Sequence, residues 1–250
     1  MSPKFVRWLL VVALLVAWEA LPRLGWIPQL FLPPFSQAVG AVWSDAGIYL
    51  SNAVVTLGEV GVALLLACGG GILLGAAIGA SPLARKPVTT MLSALYAVPL
   101  IILYPLIAAW VGIGPESKIA FAAIYGVIPA TLACSAGIKS IDPQLSLTAK
   151  SLGASFWQRI VHVILPAAIP SVLSGVRIGG ALAIVGVVVA EMLASSSGLG
   201  FLITSYRTVL DAPRVFAAIL FVLAIALVFD ALVKYLESKT RLWSAALARK

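Results

Sequence analysis

The groups able to do acid–base, nucleophilic or metal chemistry are few in this 250-residue chain: one histidine, two cysteines and nine Asp or Glu. A Ser-His-Asp relay would have to use His162, which stands in a polar stretch and reads as a solvated or hydrogen-bonded side chain. Cys68 and Cys134 each lie inside an apolar run, without metal-ligand spacing or a neighbouring histidine. They read as small buried residues, and neither a disulfide, a metal site nor a bound cofactor is expected. No G-x-x-x-x-G-K-[ST] loop and no H-E-x-x-H occurs, so an enzyme acting alone is not expected. Among the acids Glu191 stands out. It ends an apolar run in which an ionisable group costs about 2.5–3.5 kcal/mol unless it meets protein or water. It either faces a translocation path or makes a structural hydrogen bond near the outer interface. Arg177 lies fourteen positions earlier, about 21 Å along a helix, and is not its intrahelical partner. Glu59 and Asp230 are weaker candidates, since an i,i+4 pair with Lys234 accounts for Asp230.

A second constellation lies at 139–170. Lys139, Asp142, Lys150, Arg159 and His162 fall among Leu147, Leu152, Phe156, Ile160 and Val163. The apolar positions follow a near-helical spacing, which predicts an amphipathic helix outside any apolar layer, with a partner to cover it. Gly153 permits a turn between two short helices, and Pro166 is expected to interrupt the chain before the next apolar run. The exposed apolar face between them suits a partner's groove. The aromatic pair Phe156 and Trp157 reads as an interface anchor or as packing between the two helices.

The elements that must position these residues are dictated by composition. Hydrophobic residues make up 62% of the chain and charged residues 10%, which excludes an ordinary water-soluble globule. Lys86 and Glu116 bracket 29 uncharged residues and Glu59 and Arg85 bracket 25, where about 20 suffice to cross a bilayer as a helix. The pattern predicts an all-α polytopic membrane protein with about six transmembrane helices, near 5–21, 57–80, 89–112, 119–138, 171–193 and 215–236. The first resembles a signal peptide, but no A-x-A-like site follows it, so an uncleaved span is expected.

Pro22, Pro28, Pro33 and Pro34 make residues 22–50 an external connection, and Pro99 and Pro105 should kink the third span. Gly71, Gly75 and Gly79 share one helical face and should admit another helix closely. A glycine and serine loop at 195–200 opens a second external segment that runs to about Arg214. Three regions result: 1–56 with the first helix and its connection, a 57–236 core carrying the 139–170 loop, and a 237–250 cytoplasmic tail. The charge of +8 comes from 17 Lys and Arg against 9 Asp and Glu. Its bases lie between apolar runs, not in aromatic-interleaved patches, so nucleic acid is not the expected partner. With both termini inside, 13 Lys and Arg fall on the cytoplasmic side, Arg249 and Lys250 among them; Arg23, Lys118, Arg207 and Arg214 stay outside, as the positive-inside rule requires. Most of the seven tryptophans fall near span ends, as interfacial anchors would.

Thr148-Ala149-Lys150-Ser151-Leu152-Gly153, then nine residues, then Val163-Ile164-Leu165-Pro166 resembles the E-A-A-x-x-x-G-x9-I-x-L-P loop of the membrane subunits of binding-protein-dependent ABC importers. Ala149, Gly153, Leu165 and Pro166 match and Val163 is a mild replacement, while Leu147 stands for the glutamate and Thr148 for the first alanine. The stretch Val189-Ala190-Glu191-Met192-Leu193 before Ser197-Gly198-Leu199-Gly200 looks like the nitrate, sulfonate and taurine branch, as does Ala109-Trp110-Val111-Gly112-Ile113-Gly114.

The resemblance implies a type I ABC importer permease fold in the bacterial inner membrane. It implies cytoplasmic ATP-binding subunits, an extracytoplasmic substrate-binding protein and a second permease copy as partners, with a small anion as cargo. Thr148, Ala149, Gly153, Phe156, Trp157, Val163, Leu165 and Pro166 would couple ATP hydrolysis to the membrane helices, and Glu191 would belong to the translocation path. An ion-gradient-driven secondary transporter is the rival reading, and it requires carboxylates near the midplane and an internal repeat. A passive membrane anchor for a soluble enzyme would leave the glycine-rich spans unexplained.

Overall fold

The computed structural model describes residues 2–247. Arg249 and Lys250 of the charge count lie outside the described residues, as do the side chains of Lys4, Arg241 and Trp243. The described residues form helices and no strand: α1 (Pro3–Arg23), α2 (Phe35–Ser44), α3 (Ala46–Ala80), α4 (Pro82–Ala97), α5 (Tyr104–Val111), α6 (Pro115–Lys139), α7 (Pro143–Ser151), α8 (Phe156–Arg159), α9 (Leu165–Leu193), α10 (Leu199–Thr208) and α11 (Ala212–Leu247). A 3-10 turn (Leu100–Leu103) precedes α5 and a π-helical turn (Ile160–Ile164) precedes α9.

Among the described residues five helices are long and apolar enough to cross a bilayer. The third expected span is the exception, being broken rather than kinked: α4 and the Leu100–Val111 segment meet at 82°. Pro99 has no N–H to carry the ladder across, and the residue before it, Val98, is driven extended (φ −76°, ψ 136°). Pro105, expected to kink the same span, instead sits in the first turn of α5, where a missing N–H costs nothing.

The chain divides into two compact units, residues 1–57 with 191–225, and residues 58–190 with 226–250. In the first, the proline-rich connection is folded and not merely extended. Trp18 Nε1 donates to the Pro33 carbonyl at 2.9 Å, and its ring packs edge-on to Phe35. The Glu19 carboxylate accepts from the Ser36 amide at 2.9 Å and the Ser36 hydroxyl at 2.8 Å. Tyr49 is fully buried, stacked on Phe221, and its hydroxyl donates to the Arg214 carbonyl at 3.0 Å. Arg214 in turn bridges Asp45 at 2.7 Å and Asp211 at 2.6 Å. Helix α3 therefore starts eleven residues earlier than the apolar pattern suggested, and the segment from Ser195 to Arg214 holds α10, whose Leu199, Leu202 and Ile203 are buried.

In the second unit the glycine face performs as expected. Cβ atoms at Gly71, Gly75 and Gly79 would run into Ala130, Cys134 and Ile138 of α6. Both sets advance by four residues, so one ridge lies along one groove and the backbones approach closely. Cys134 is buried there and its Sγ donates to the Ile72 carbonyl at 3.6 Å. The same unit holds a buried ion pair that the sequence pattern did not reveal, Lys118 to Glu59.

Candidate coupling segment and the Glu191 turn

Residues 139–170 fold as the expected pair of helices joined by a tight turn at Gly153, the second of them running on into the next span. Asp142 caps α7, its carboxylate accepting from the Gln144 amide at 2.9 Å, with Pro143 at the first helical position. The helix ends in a Schellman arrangement. Gly153 takes the left-handed conformation at φ +82°, its N–H donates to the Lys150 carbonyl at 3.0 Å, and the Ala154 N–H reaches back to the Ala149 carbonyl at 3.0 Å. The matched Ala149 and Gly153 are thus the two ends of one helix-terminating device.

Ser155 then opens α8 reciprocally: the Gln158 amide donates to the Ser155 hydroxyl at 3.3 Å and the Gln158 side chain accepts from the Ser155 amide at 2.8 Å. Pro166 does not interrupt the chain, contrary to expectation. It lies in the first turn of α9, directly after the π turn Ile160–Ile164, and helix continues from Phe156 through to Leu193. The ring of Pro166 would otherwise press on the carbonyl four residues back, and widening the preceding turn is one way a helix absorbs that.

The result is an apolar surface with little to cover it. Leu147, Leu152, Phe156, Trp157 and Leu165 are all more than half exposed. Phe156 and Trp157 pack edge to face, ring centroids 5.7 Å apart, and the Arg159 guanidinium lies 5.9 Å over the Phe156 ring. Phe156, Ile164 and Leu165 also line an apolar cavity of about 550 Å³ that reaches Ile72 and Ala76 on α3 and Cys134 and Ile138 on α6. Val163 instead lines a shallow depression with Gly153, Gln158 and His162. Thr148 is on α7, where its carbonyl accepts from the Leu152 amide at 3.0 Å. His162 Nδ1 is 3.2 Å from the Gln158 carbonyl, a local contact on an exposed surface.

Glu191, in the other unit, is 1% exposed and organises the turn from α9 into α10. One carboxylate oxygen accepts from the Thr56 hydroxyl at 2.8 Å and the other from the Gly200 amide at 2.7 Å. The Thr56 hydroxyl oxygen also accepts from the Leu199 amide at 2.9 Å, and Asn52 accepts from the Gly198 amide at 2.7 Å. Gly198 sits at φ +103°, and a Cβ there would collide with the Glu191 carboxylate. First-turn amides of α10 therefore end on Glu191 and Thr56, satisfying donors that a helix start leaves open. Asn52 and Thr56 had no motif of their own; their signal is a spacing of four on α3, visible only once the turn that they hold is known.

Among the described residues no cluster of three or more His, Cys, Asp or Glu could hold a metal. A multi-span helical membrane protein with an exposed helix–turn–helix between spans is the class that this architecture defines. Residues 70–242 match the binding-protein-dependent transport system inner membrane component family, and the chain belongs to it, as an ABC importer permease of the inner membrane. That membership displaces the ion-gradient-driven transporter as a reading.

The taurine transport system permease protein TauC of Escherichia coli (strain K12) is 32% identical over 93% of this chain and 87% of its own length. A putative aliphatic sulfonates transport permease protein, SsuC, of Bacillus subtilis (strain 168) is 30% identical over 96% and 88%. The riboflavin transport system permease protein RibX of Chloroflexus aurantiacus is 32% identical over 94% and 89%. In fold, the chain resembles the inward-facing MetNI methionine ABC transporter, with a TM-score of 0.67 at 16% identity over 78% of this chain and 97% of that one.

Proposed function

We propose that this chain forms the translocation path of an ATP-driven importer for a small organic sulfonate or related oxyanion. In this reading it works as two copies with both termini cytoplasmic, fed by an extracytoplasmic binding protein, while ATP hydrolysis belongs to separate cytoplasmic subunits. The observation that carries the reading is the segment 143–166. Its turn is fixed by the Schellman arrangement at Gly153, and its aromatic pair is exposed where a groove on another protein would cover it. Because α8, the π turn and α9 run on without a break, a push on Phe156 and Trp157 would pass directly into a membrane-spanning helix. Thr148, Ala149 and Gly153 set the angle at which α7 meets that lever, and Val163, Leu165 and Pro166 form its base.

The cargo class rests on the taurine and sulfonate relatives. For Glu191 we propose a positioning role on that path: its hydrogen bonds hold the α9–α10 turn instead of meeting cargo.

The test is assembly and turnover of the complete transporter, reconstituted with its ATP-binding subunits and binding protein. Phe156→Ala with Trp157→Ala is expected to abolish uptake and to weaken retention of the ATP-binding subunit at least tenfold, while the chain itself still folds. Full retention together with ATPase stimulation by loaded binding protein would refute the coupling role. A competition series of taurine, alkanesulfonates and riboflavin against labelled taurine then tests the cargo class.

A further inference from the structure

We propose that the second unit carries a binding pocket for the phosphate of an anionic phospholipid headgroup, built between the start of α4 and the end of α6. The pocket has a volume of about 610 Å³, and Arg85, Lys86 and Lys139 line it together with Ser135 and Thr89. None of the three bases has a carboxylate partner among the described residues; Arg85 reaches only the Gly79 carbonyl, at 3.5 Å. No acidic residue lines the pocket.

Two of these bases are placed against the local field. Arg85 and Lys86 stand near the N-terminus of a sixteen-residue helix whose first turn holds no acid. The partial positive charge of that end opposes them and favours an anion instead. Ser135 supplies an independent indication. It is 1% exposed, its Oγ has no hydrogen-bond partner among the described residues, and it lines this pocket. A buried hydroxyl left unpaired costs free energy unless something outside the chain pairs with it. Thr89 is already committed, its hydroxyl donating to the Arg85 carbonyl at 2.7 Å, so among the described residues Ser135 carries the lining hydroxyl that has no partner.

Place and chemistry fit a lipid. The pocket opens where α3 passes into α4 and where α6 leaves for α7, at the ends of apolar helices, which is headgroup depth. Basic pockets between membrane helices are a known way of holding anionic headgroups. The recognised group is a tetrahedral oxyanion, so a soluble sulfate or sulfonate shares the chemistry and must be separated from a lipid by experiment. The inference rests on the charge, the pocket and the hydroxyl, and does not depend on which cargo the protein carries or on how α7 and α8 are used.

The full-length chain, purified and stripped of lipid, is titrated with phosphatidylglycerol or phosphatidylethanolamine of matched acyl chains and bound lipid is counted by native mass spectrometry. Phosphatidylglycerol should bind at least tenfold tighter than phosphatidylethanolamine. Each neutralised base should weaken it roughly fivefold, and the Arg85→Gln, Lys86→Gln, Lys139→Gln triple variant about a hundredfold. Ser135→Ala should cost about two- to fivefold while leaving the fold intact, because that hydroxyl bonds nothing among the described residues; this variant keeps the test decisive if the triple variant does not fold. Lys139→Arg should retain binding. Equal affinity for the two lipids, unaltered in Ser135→Ala, overturns the proposal. Binding of sulfate at millimolar concentration that the same variants abolish, without phosphatidylglycerol selectivity, overturns the lipid assignment and makes the pocket one for soluble oxyanions.

Discussion

Two buried carboxylates, one in each unit, have been accommodated by opposite means. Glu59 is 4% exposed and is met by a full charge, Lys118, itself 3% exposed. Glu191 is 1% exposed and is met by the Thr56 hydroxyl and the Gly200 amide, both neutral. An ion pair concentrates the compensation in one partner, so removing that partner strands the other charge. A set of neutral donors spreads it over several groups and fixes a backbone shape at the same time. The difference teaches what each acid is for: Glu59 ties α3 to α6, whereas Glu191 shapes a turn.

The sharpest way to break that contrast is to remove the lysine. Lys118→Met removes the charge that faces Glu59 and is expected to cost about 3–5 kcal/mol, seen as loss of most folded protein in a denaturant titration in bicelles. Adding Glu59→Leu should restore much of it, since replacing both charges by apolar side chains is often neutral. A double variant no better than Lys118→Met would show that the two side chains do not act as a pair.

The Glu191 turn should yield smaller steps. Thr56→Val removes one donor to Glu191 and the acceptor of the Leu199 amide together, for about 1–3 kcal/mol. Glu191→Gln should cost less than Thr56→Val, because an amide keeps one accepting oxygen. The signature that separates positioning from contact with cargo is the kinetic split: Glu191→Gln should lower the maximal uptake rate with KM for cargo unchanged. A raised KM at an unchanged maximal rate would return Glu191 to the substrate's path.

Five of the six expected spans, the glycine face and the matched loop were legible in the sequence, because each depends on a pattern within one segment. Gly71, Gly75 and Gly79 announce a close-packed face whatever their partner. What stayed hidden depends on pairs distant in sequence: nothing near Glu59 points to Lys118, and Asn52 and Thr56 acquire meaning only beside residues 191–200. Proline was misread twice. Pro105 is harmless in a first helical turn, whereas Pro166 is carried inside a continuous helix by the π turn before it, and sequence alone shows neither where a helix begins nor where it widens. At Gly153, by contrast, the turn was foreseen and its left-handed φ follows from it. Gly153→Ala should cost about 1–2 kcal/mol at that position and lower coupled transport several-fold, with the ATPase rate of the assembled complex retained. Unchanged transport would mean that the α7–α8 angle is not transmitted.

The smallest effect is expected where charges pair in the open. Asp230 sits 2.5 Å from Lys234, with the lysine side chain 64% exposed, and Arg177 approaches the same carboxylate at 3.3 Å while bonding Glu237 at 2.9 Å. The expected i,i+4 pair is present, but its carboxylate is shared and its lysine is wet, so solvent and Arg177 both stand ready to replace it. Lys234→Gln should therefore leave the unfolding midpoint in bicelles unchanged within error, at low and at high salt alike. A loss comparable to that of Lys118→Met would mean that exposure does not separate the pairs, and that the contrast between Glu59 and Glu191 rests on something other than how each charge is compensated.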